Sequence, residues 1–166
     1  NIEDIEILKE VAKTQKNFLV MGAGLVGMDC VTGLLELGVN VTLVEMELWM
    51  LAKQLDEKAA KVYQDAFTEK GVVQYYGAGI SEAVVDEEGM ITSVILSNGT
   101  TIACDYVVVT AGVRANVEFL EGSGIEVSKA GLVYDETGKT SDDAIYGAGD
   151  VSGMRPIWPV AVKESI

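Results

Sequence analysis

The sequence predicts an α/β fold: a parallel sheet with helices on both faces, joined by a three-stranded antiparallel meander. Three observations predict it. An apolar run ending at Met21 enters the turn Gly22-Ala23-Gly24-Leu25-Val26-Gly27 and then a helical stretch. A second apolar run, 39–44, closes on Glu45. Further on, Asn98-Gly99 separates two strand-like runs, and this dipeptide favours the tight turn of a hairpin.

The elements follow in order. Residues 2–13 read as a helix with Ile5, Leu8, Val11 and Ala12 on one stripe. A strand is expected at 17–21, a helix from the glycine turn to Leu37 with Gly38 as its stop, and a second strand at 39–45. The next helix spans about 56–69, with Ala59, Val62, Tyr63, Ala66 and Phe67 as its buried stripe and Gly71 at its end. A strand at 72–76 leads to the meander, with runs at 79–86, 90–96 and 100–104. A buried strand at 106–110 runs into Ala111-Gly112. Beyond it regularity drops, with a short strand at 144–146 and a helix opened by Pro159.

Residues 18–45 have the order strand, glycine turn, helix, strand, acid, which defines a Rossmann-like dinucleotide unit. Gly22 permits the tight turn, Gly24 lets backbone approach a diphosphate, and Gly27 lets helix and strand pack closely. The N–H groups and positive dipole end at the helix start favour phosphate charge. Glu45 lies eighteen positions after Gly27. There a carboxylate accepts hydrogen bonds from ribose hydroxyls and repels a 2′-phosphate, so the unit favours NAD over NADP. Read blandly, the same residues make a tight turn in another parallel fold and a solvated acid at a strand end. Gly112 ends a buried strand at the same sheet end, where close backbone approach to the dinucleotide is expected of Ala111, Gly112 and Val113. Met46 follows the acid on that side. Met46, Trp49 and Trp158 read first as packing residues; the alternative is that Trp49-Met50-Leu51 is exposed and lines the adenine side or a domain interface.

Composition bounds the rest. The 166 residues suffice for one domain and part of another. Net charge is −14, which repels nucleic acid and anionic lipid and leaves phosphate capture to backbone N–H groups rather than a Lys/Arg cluster. No apolar run is long enough to span a membrane. The chain has no histidine, which removes Ser-His-Asp and Cys-His nucleophiles and His-bound metal. Cys30 and Cys104 form no CxxC; Cys30 fits a helix core position, and two isolated thiols suit a reducing cytoplasm. No residue reads as a catalytic acid, base or nucleophile, and no metal ligand set is present.

Three ordered blocks resemble the FAD-dependent pyridine nucleotide-disulfide oxidoreductase family. They are Gly22–Gly27 with Asp29 and Glu45; Val107-Val-Val-Thr-Ala-Gly112 with Val113-Arg-Ala-Asn116; and Thr140-Ser-Asp-Asp-Ala-Ile-Tyr-Gly-Ala-Gly-Asp150. The resemblance implies NADH as hydride donor and FAD as acceptor. It also implies that Asp150 binds the FAD ribityl chain and that Asp29, where the family usually has Glu, lies near the nicotinamide. Ala115 stands where the family often has Pro. Trp158-Pro-Val-Ala161 resembles members that reduce rubredoxin-like carriers or oxidise NADH. The family places an FAD domain with its own glycine motif before the NAD domain, and any redox-active cysteine pair belongs to that half. With one such motif, the chain is expected to be a piece of a longer protein: residues 1–113 an NAD(H)-binding domain, 114–166 a partial return into an FAD-binding domain. Such a piece would bind NADH without turnover and little or no FAD. Its partner would be the FAD-binding half of the parent chain, or a second copy through residues 114–166. The rival readings are a free-standing NAD(H)-sensing module and a complete nicotinamide dehydrogenase. The latter lacks a Tyr-x-x-x-Lys pair and a histidine base.

Overall fold

A computed structural model describes residues 2–153 and 158–165. The side chain of Trp158, quoted in the sequence motif, lies outside the described residues. The chain divides into two compact units, 1–112 and 113–166.

The first unit opens with α1 (Ile2–Val11), β1 (Asn17–Met21), α2 (Leu25–Glu36), β2 (Asn40–Glu45), α3 (Glu57–Glu69) and β3 (Val73–Tyr76). The strands β4 (Ile80–Val85), β5 (Ile91–Leu96) and β6 (Thr101–Ala103) follow, then β7 (Tyr106–Val109). The main sheet runs β3-β2-β1-β7, and every neighbouring pair is parallel. The strands β4-β5-β6 form a separate antiparallel sheet, the expected meander. Asn98 fixes its second turn: the side-chain oxygen accepts the Thr100 N–H at 3.0 Å, and Gly99 takes φ +84°.

Strand alternation sorts the core into two halves. Phe18, Val20, Val41 and Leu43 pack with Ala12, which follows α1, with Met28, Val31 and Leu34 of α2, and with Ala60 of α3. Leu19 and Val44 face the other way, onto Val94, Leu96 and Ile102 of the meander. The helices therefore cover one face of the parallel sheet, and the meander covers the face expected to carry further helices. Either layer removes the apolar strands from water, and periodicity does not distinguish them.

Local chemistry sets the helix ends. Leu37 caps α2 and Gly38 follows at φ +72°. The Asp56 carboxylate accepts the Ala59 N–H at 2.9 Å, satisfying one otherwise unpaired donor at the start of α3. Two stripes differ from expectation. On α3, Ala60 is buried and Phe67 packs on the core, whereas Val62 and Tyr63 are 68% and 49% exposed. On α1, Leu8, Val11 and Ala12 reach the core, but Ile5 is exposed. Cys104 is buried just after β6, while Cys30 is only partly buried beside the core.

The second unit has less regular structure. It comprises 3-10 turns at Glu118–Leu120 and Gly149–Ser152, α4 (Trp158–Glu164), and isolated bridges Val127–Leu132 and Lys139–Tyr146. The strand expected at 144–146 is reduced to the bridge at Tyr146. Asp142 accepts the Ala144 N–H at 2.9 Å, and the Thr140 hydroxyl donates to the Ile145 carbonyl at 2.8 Å. Those side-chain bonds compete with a strand ladder. Glu164 on α4 accepts the Gly149 N–H at 2.8 Å and the Tyr134 hydroxyl at 3.0 Å. Among the described residues of this unit, Leu132 is the one large apolar side chain that is buried. No helix among the described residues is long and apolar enough to cross a membrane, and none of their carboxylates or thiols cluster to hold a metal.

Candidate functional site

The strand order places the site. From β1 the chain moves to β2 and β3 on one side, while β7 lies on the other, so a crevice opens beyond the carboxyl end of β1. The three glycines of the turn stand there for different reasons. Gly22 has φ +109°, and a Cβ on it would lie 2.8 Å from the Thr110 carbonyl oxygen. A Cβ on Gly27 would lie 1.9 Å from the Gly22 carbonyl oxygen, so α2 and its turn touch through backbone. Gly24 is different. Its φ of −78° suits any residue, and a Cβ there would meet nothing within 4 Å. The protein's own packing does not require glycine at that point, but close approach of a ligand would.

Gly24 is also the N-cap of α2, and no side chain caps this helix. No side chain competes for the N–H groups of its first turn. Around them lies a cavity of ≈ 350 Å³ lined by Gly22–Val26, Glu45, Met46 and Ala111-Gly112. Thr110 closes one side: its N–H and hydroxyl both donate to the Met21 carbonyl, at 2.8 and 2.9 Å, tying β7 to β1 at the crevice.

Glu45 plays a part the sequence does not announce. Its Oε2 accepts the Ala23 N–H at 2.6 Å, and its Oε1 accepts the Glu47 N–H at 2.9 Å. The carboxylate therefore braces the glycine turn against the end of β2. It retains lone pairs for a further donor, since a carboxylate offers about four acceptor sites. Ala23 is held from its other side as well, because its carbonyl accepts the Leu51 N–H at 2.9 Å.

The other predicted residues are dispersed. Gly27 is buried under the turn rather than in the cavity wall. Asp29 lies in the second turn of α2, exposed and outside the cavity lining. Val113 belongs to the second unit, where it borders a hollow with Arg114. Asp150 is exposed in the 3-10 turn of that unit. The alternative of an exposed trio after Glu45 is corrected. Met50 is fully buried and Leu51 nearly so, and the Trp49 indole N–H donates to the Leu55 carbonyl at 3.0 Å. Residues that sequence reasoning missed also line the cavity, among them Lys53, Gln54 and Gly79. None carries a local signature; only the loop after β2 folding back onto Ala23 brings Lys53 there.

A parallel sheet with an uncapped helix start and a braced acid at its switch point is a Rossmann-like α/β arrangement. Comparison with known proteins gives the family. The chain belongs to the pyridine nucleotide-disulphide oxidoreductases, whose family pattern matches residues 1–165. Among its relatives, a peroxisomal monodehydroascorbate reductase 2 of Oryza sativa subsp. japonica is 33% identical over 156 residues, covering 93% of this chain and 33% of the relative. An NADH oxidase of Enterococcus faecalis is 29% identical, covering 90% of this chain and 33% of the relative. The crystal structure of a ferredoxin reductase from Rhodopseudomonas palustris superposes with a TM-score of 0.85 at 28% identity, covering 91% of this chain and 37% of that one. The chain thus spans about a third of the length of these relatives.

Proposed function

We propose that residues 1–112 are the NAD(H)-binding unit of a flavoprotein oxidoreductase, in which NADH passes hydride to FAD. The open space beside Gly24, at an uncapped helix start, carries this reading. The N–H groups of the first turn of α2 bind the diphosphate, and the missing Cβ lets it come close. Glu45 keeps Ala23 in place and offers its remaining lone pairs to a ribose hydroxyl. Ala111 and Gly112 form the opposite wall, and Met46 gives an apolar contact beside the acid. Asp29 and Asp150 retain the roles implied by the family resemblance, the first at the nicotinamide and the second at the flavin. The bound dinucleotide supplies the redox chemistry, and the chain supplies placement and charge. The relatives' names, an NADH oxidase and a monodehydroascorbate reductase, support a nicotinamide-dependent reductase.

FAD is proposed to be held by residues 113–166 together with a further half of the protein. A free-standing sensing module would bury this unit in its own core. That Leu132 is its one buried large apolar residue among those described favours the reductase instead. The unit would then complete its core against the FAD-binding half or a second copy.

Separate calorimetric titrations of the 166-residue chain with NADH and with FAD test the proposal. Saturable NADH binding, little or no FAD binding and no turnover of NADH with added flavin are expected. No heat with NADH at millimolar concentration would overturn it.

A further inference from the structure

We propose that Thr110 is a positioning residue for the dinucleotide: its hydroxyl, together with the Glu45 carboxylate, clamps the peptide between Gly22 and Ala23 and so aims the start of α2 at the diphosphate. This rests on the reading of the cavity as a dinucleotide site. The two polar ends of that one peptide are held by different strands. Its N–H, on Ala23, donates to Glu45 Oε2 at 2.6 Å, at the end of β2. Its carbonyl, on Gly22, accepts the Thr110 hydroxyl at 3.1 Å, just past the end of β7. Among the described residues, Thr110 is the only donor to that oxygen. The same hydroxyl lies 2.9 Å from the Met21 carbonyl, so its single proton is shared between two acceptors. The neighbouring groups are fixed as well. The Gly22 N–H donates to the Val44 carbonyl at 2.8 Å, and the Ala23 carbonyl accepts the Leu51 N–H at 2.9 Å. The N–H groups that follow, at the uncapped start of α2, are those a helix leaves unpaired.

Sterics leave the clamped peptide little choice. A Cβ on Gly27 would lie 1.9 Å from the Gly22 carbonyl oxygen and 2.9 Å from the Thr110 hydroxyl. The missing side chain of Gly27 is therefore the space in which this hydrogen bond forms. Without the hydroxyl, the Gly22 carbonyl has no donor at this partly buried place, and turning toward water becomes favourable. Because the carbonyl and the Ala23 N–H share one plane, such a rotation also draws the N–H away from Glu45. The turn then loses its hold from both strands, and the N–H groups of α2 move with it. Valine has the shape of threonine without the donor, and serine keeps the donor without the methyl group.

The full chain and its Thr110→Val and Thr110→Ser variants are titrated with NADH, followed by nicotinamide fluorescence, and with ADP-ribose, which carries the diphosphate but no nicotinamide. Each titration is run well below the melting temperature of the variant. Thr110→Val should weaken both ligands about tenfold, and Thr110→Ser should stay within about threefold of the wild type. Amide hydrogen exchange separates positioning from general stability: in Thr110→Val the rate at Ala23 should rise about tenfold more than the rate at Val20 inside β1. Unchanged affinity in Thr110→Val would overturn the proposal, as would equal losses in the two variants or an equal rise at Ala23 and Val20. A loss for NADH but not for ADP-ribose would put the effect at the nicotinamide end and also overturn it. Absence of NADH binding by the wild type would instead overturn the dinucleotide reading beneath it, while the exchange rates would still decide whether Thr110 holds the peptide.

Discussion

The Ala23 N–H donates to a carboxylate oxygen of Glu45 across 2.6 Å, so the acid that ends β2 grips the turn that ends β1. One side chain thereby serves the fold and the cavity. Replacing Glu45 with Arg leaves the Ala23 and Glu47 N–H groups without this acceptor, which costs about 1–3 kcal/mol when such donors are poorly hydrated. The same change removes the charge that repels a 2′-phosphate and adds one that attracts it. Glu45→Arg is expected to weaken NADH about tenfold or more and to shift preference toward NADPH, read as the ratio of the two dissociation constants. An unchanged ratio would leave Glu45 a bracing residue alone.

Gly24 and Gly27 separate binding from folding. At Gly27 a Cβ would sit 1.9 Å from the Gly22 carbonyl oxygen, and neither backbone can yield without moving α2 off the sheet. Gly27→Ala should cost more than about 3 kcal/mol of stability in urea unfolding. At Gly24 the backbone is already extended and the space is empty. Gly24→Val should fold within about 1 kcal/mol of the wild type yet lose NADH binding, because its methyls fill the approach to the N–H groups of α2. Retained affinity in Gly24→Val would show that the diphosphate lies elsewhere.

The glycine turn, the acid and the meander were legible because each carries its own local signal of residue type and spacing. Turn chemistry at Asn98-Gly99 and the strand–turn–helix order from Phe18 to Gly27 require nothing from the rest of the chain. The layering was not legible. An apolar strand such as β2 reads the same whether Val44 meets a helix or the meander. On α3, Ala59 and Ala60 are adjacent and equally small, so the stripe could be drawn on either side, and the structure takes the one that exposes Val62. The burial of Met50 and Leu51 is not legible because it depends on a bond from Leu51 to Ala23, 28 residues back in the chain. For the same reason Lys53 escaped notice as a cavity residue, since a lone lysine after an acidic strand end carries no periodic or motif signal.

The two thiols should be slow to react in the folded protein. Burial pushes both Cys30 and Cys104 above the usual thiol range, and the neighbouring Asp105 carboxylate adds to the effect at Cys104. The thiolate is the reactive form, so little of it is present near neutral pH. Ellman's reagent at pH 8 should modify both cysteines slowly in the native chain and rapidly in urea, with Cys104 the slower because it is the more buried. Rapid native modification of Cys104 would show that β6 and its neighbours open readily.

Asp105 gives the fold a dependence on acid. Its carboxylate accepts the Lys16 and Asn17 N–H groups at 3.0 and 2.8 Å and the Asn17 side-chain amide at 3.0 Å, clamping the start of β7 to the start of β1. The backbone donors, Lys16 first, hold the group below the usual carboxylate range. A carboxyl whose folded pKa lies below its unfolded value of about 3.9 stabilises the fold fully above that value, and the contribution fades as pH falls through the folded pKa. Asp105→Ala should therefore cost about 1 kcal/mol at pH 7, a modest figure because the site is partly exposed to water. The gap between variant and wild type should begin to narrow below about pH 4 and close only below the folded pKa. Urea unfolding of both proteins at pH 7, 5 and 3 checks this: a difference undiminished between pH 5 and pH 3 would mean that Asp105 acts through packing rather than through its charge.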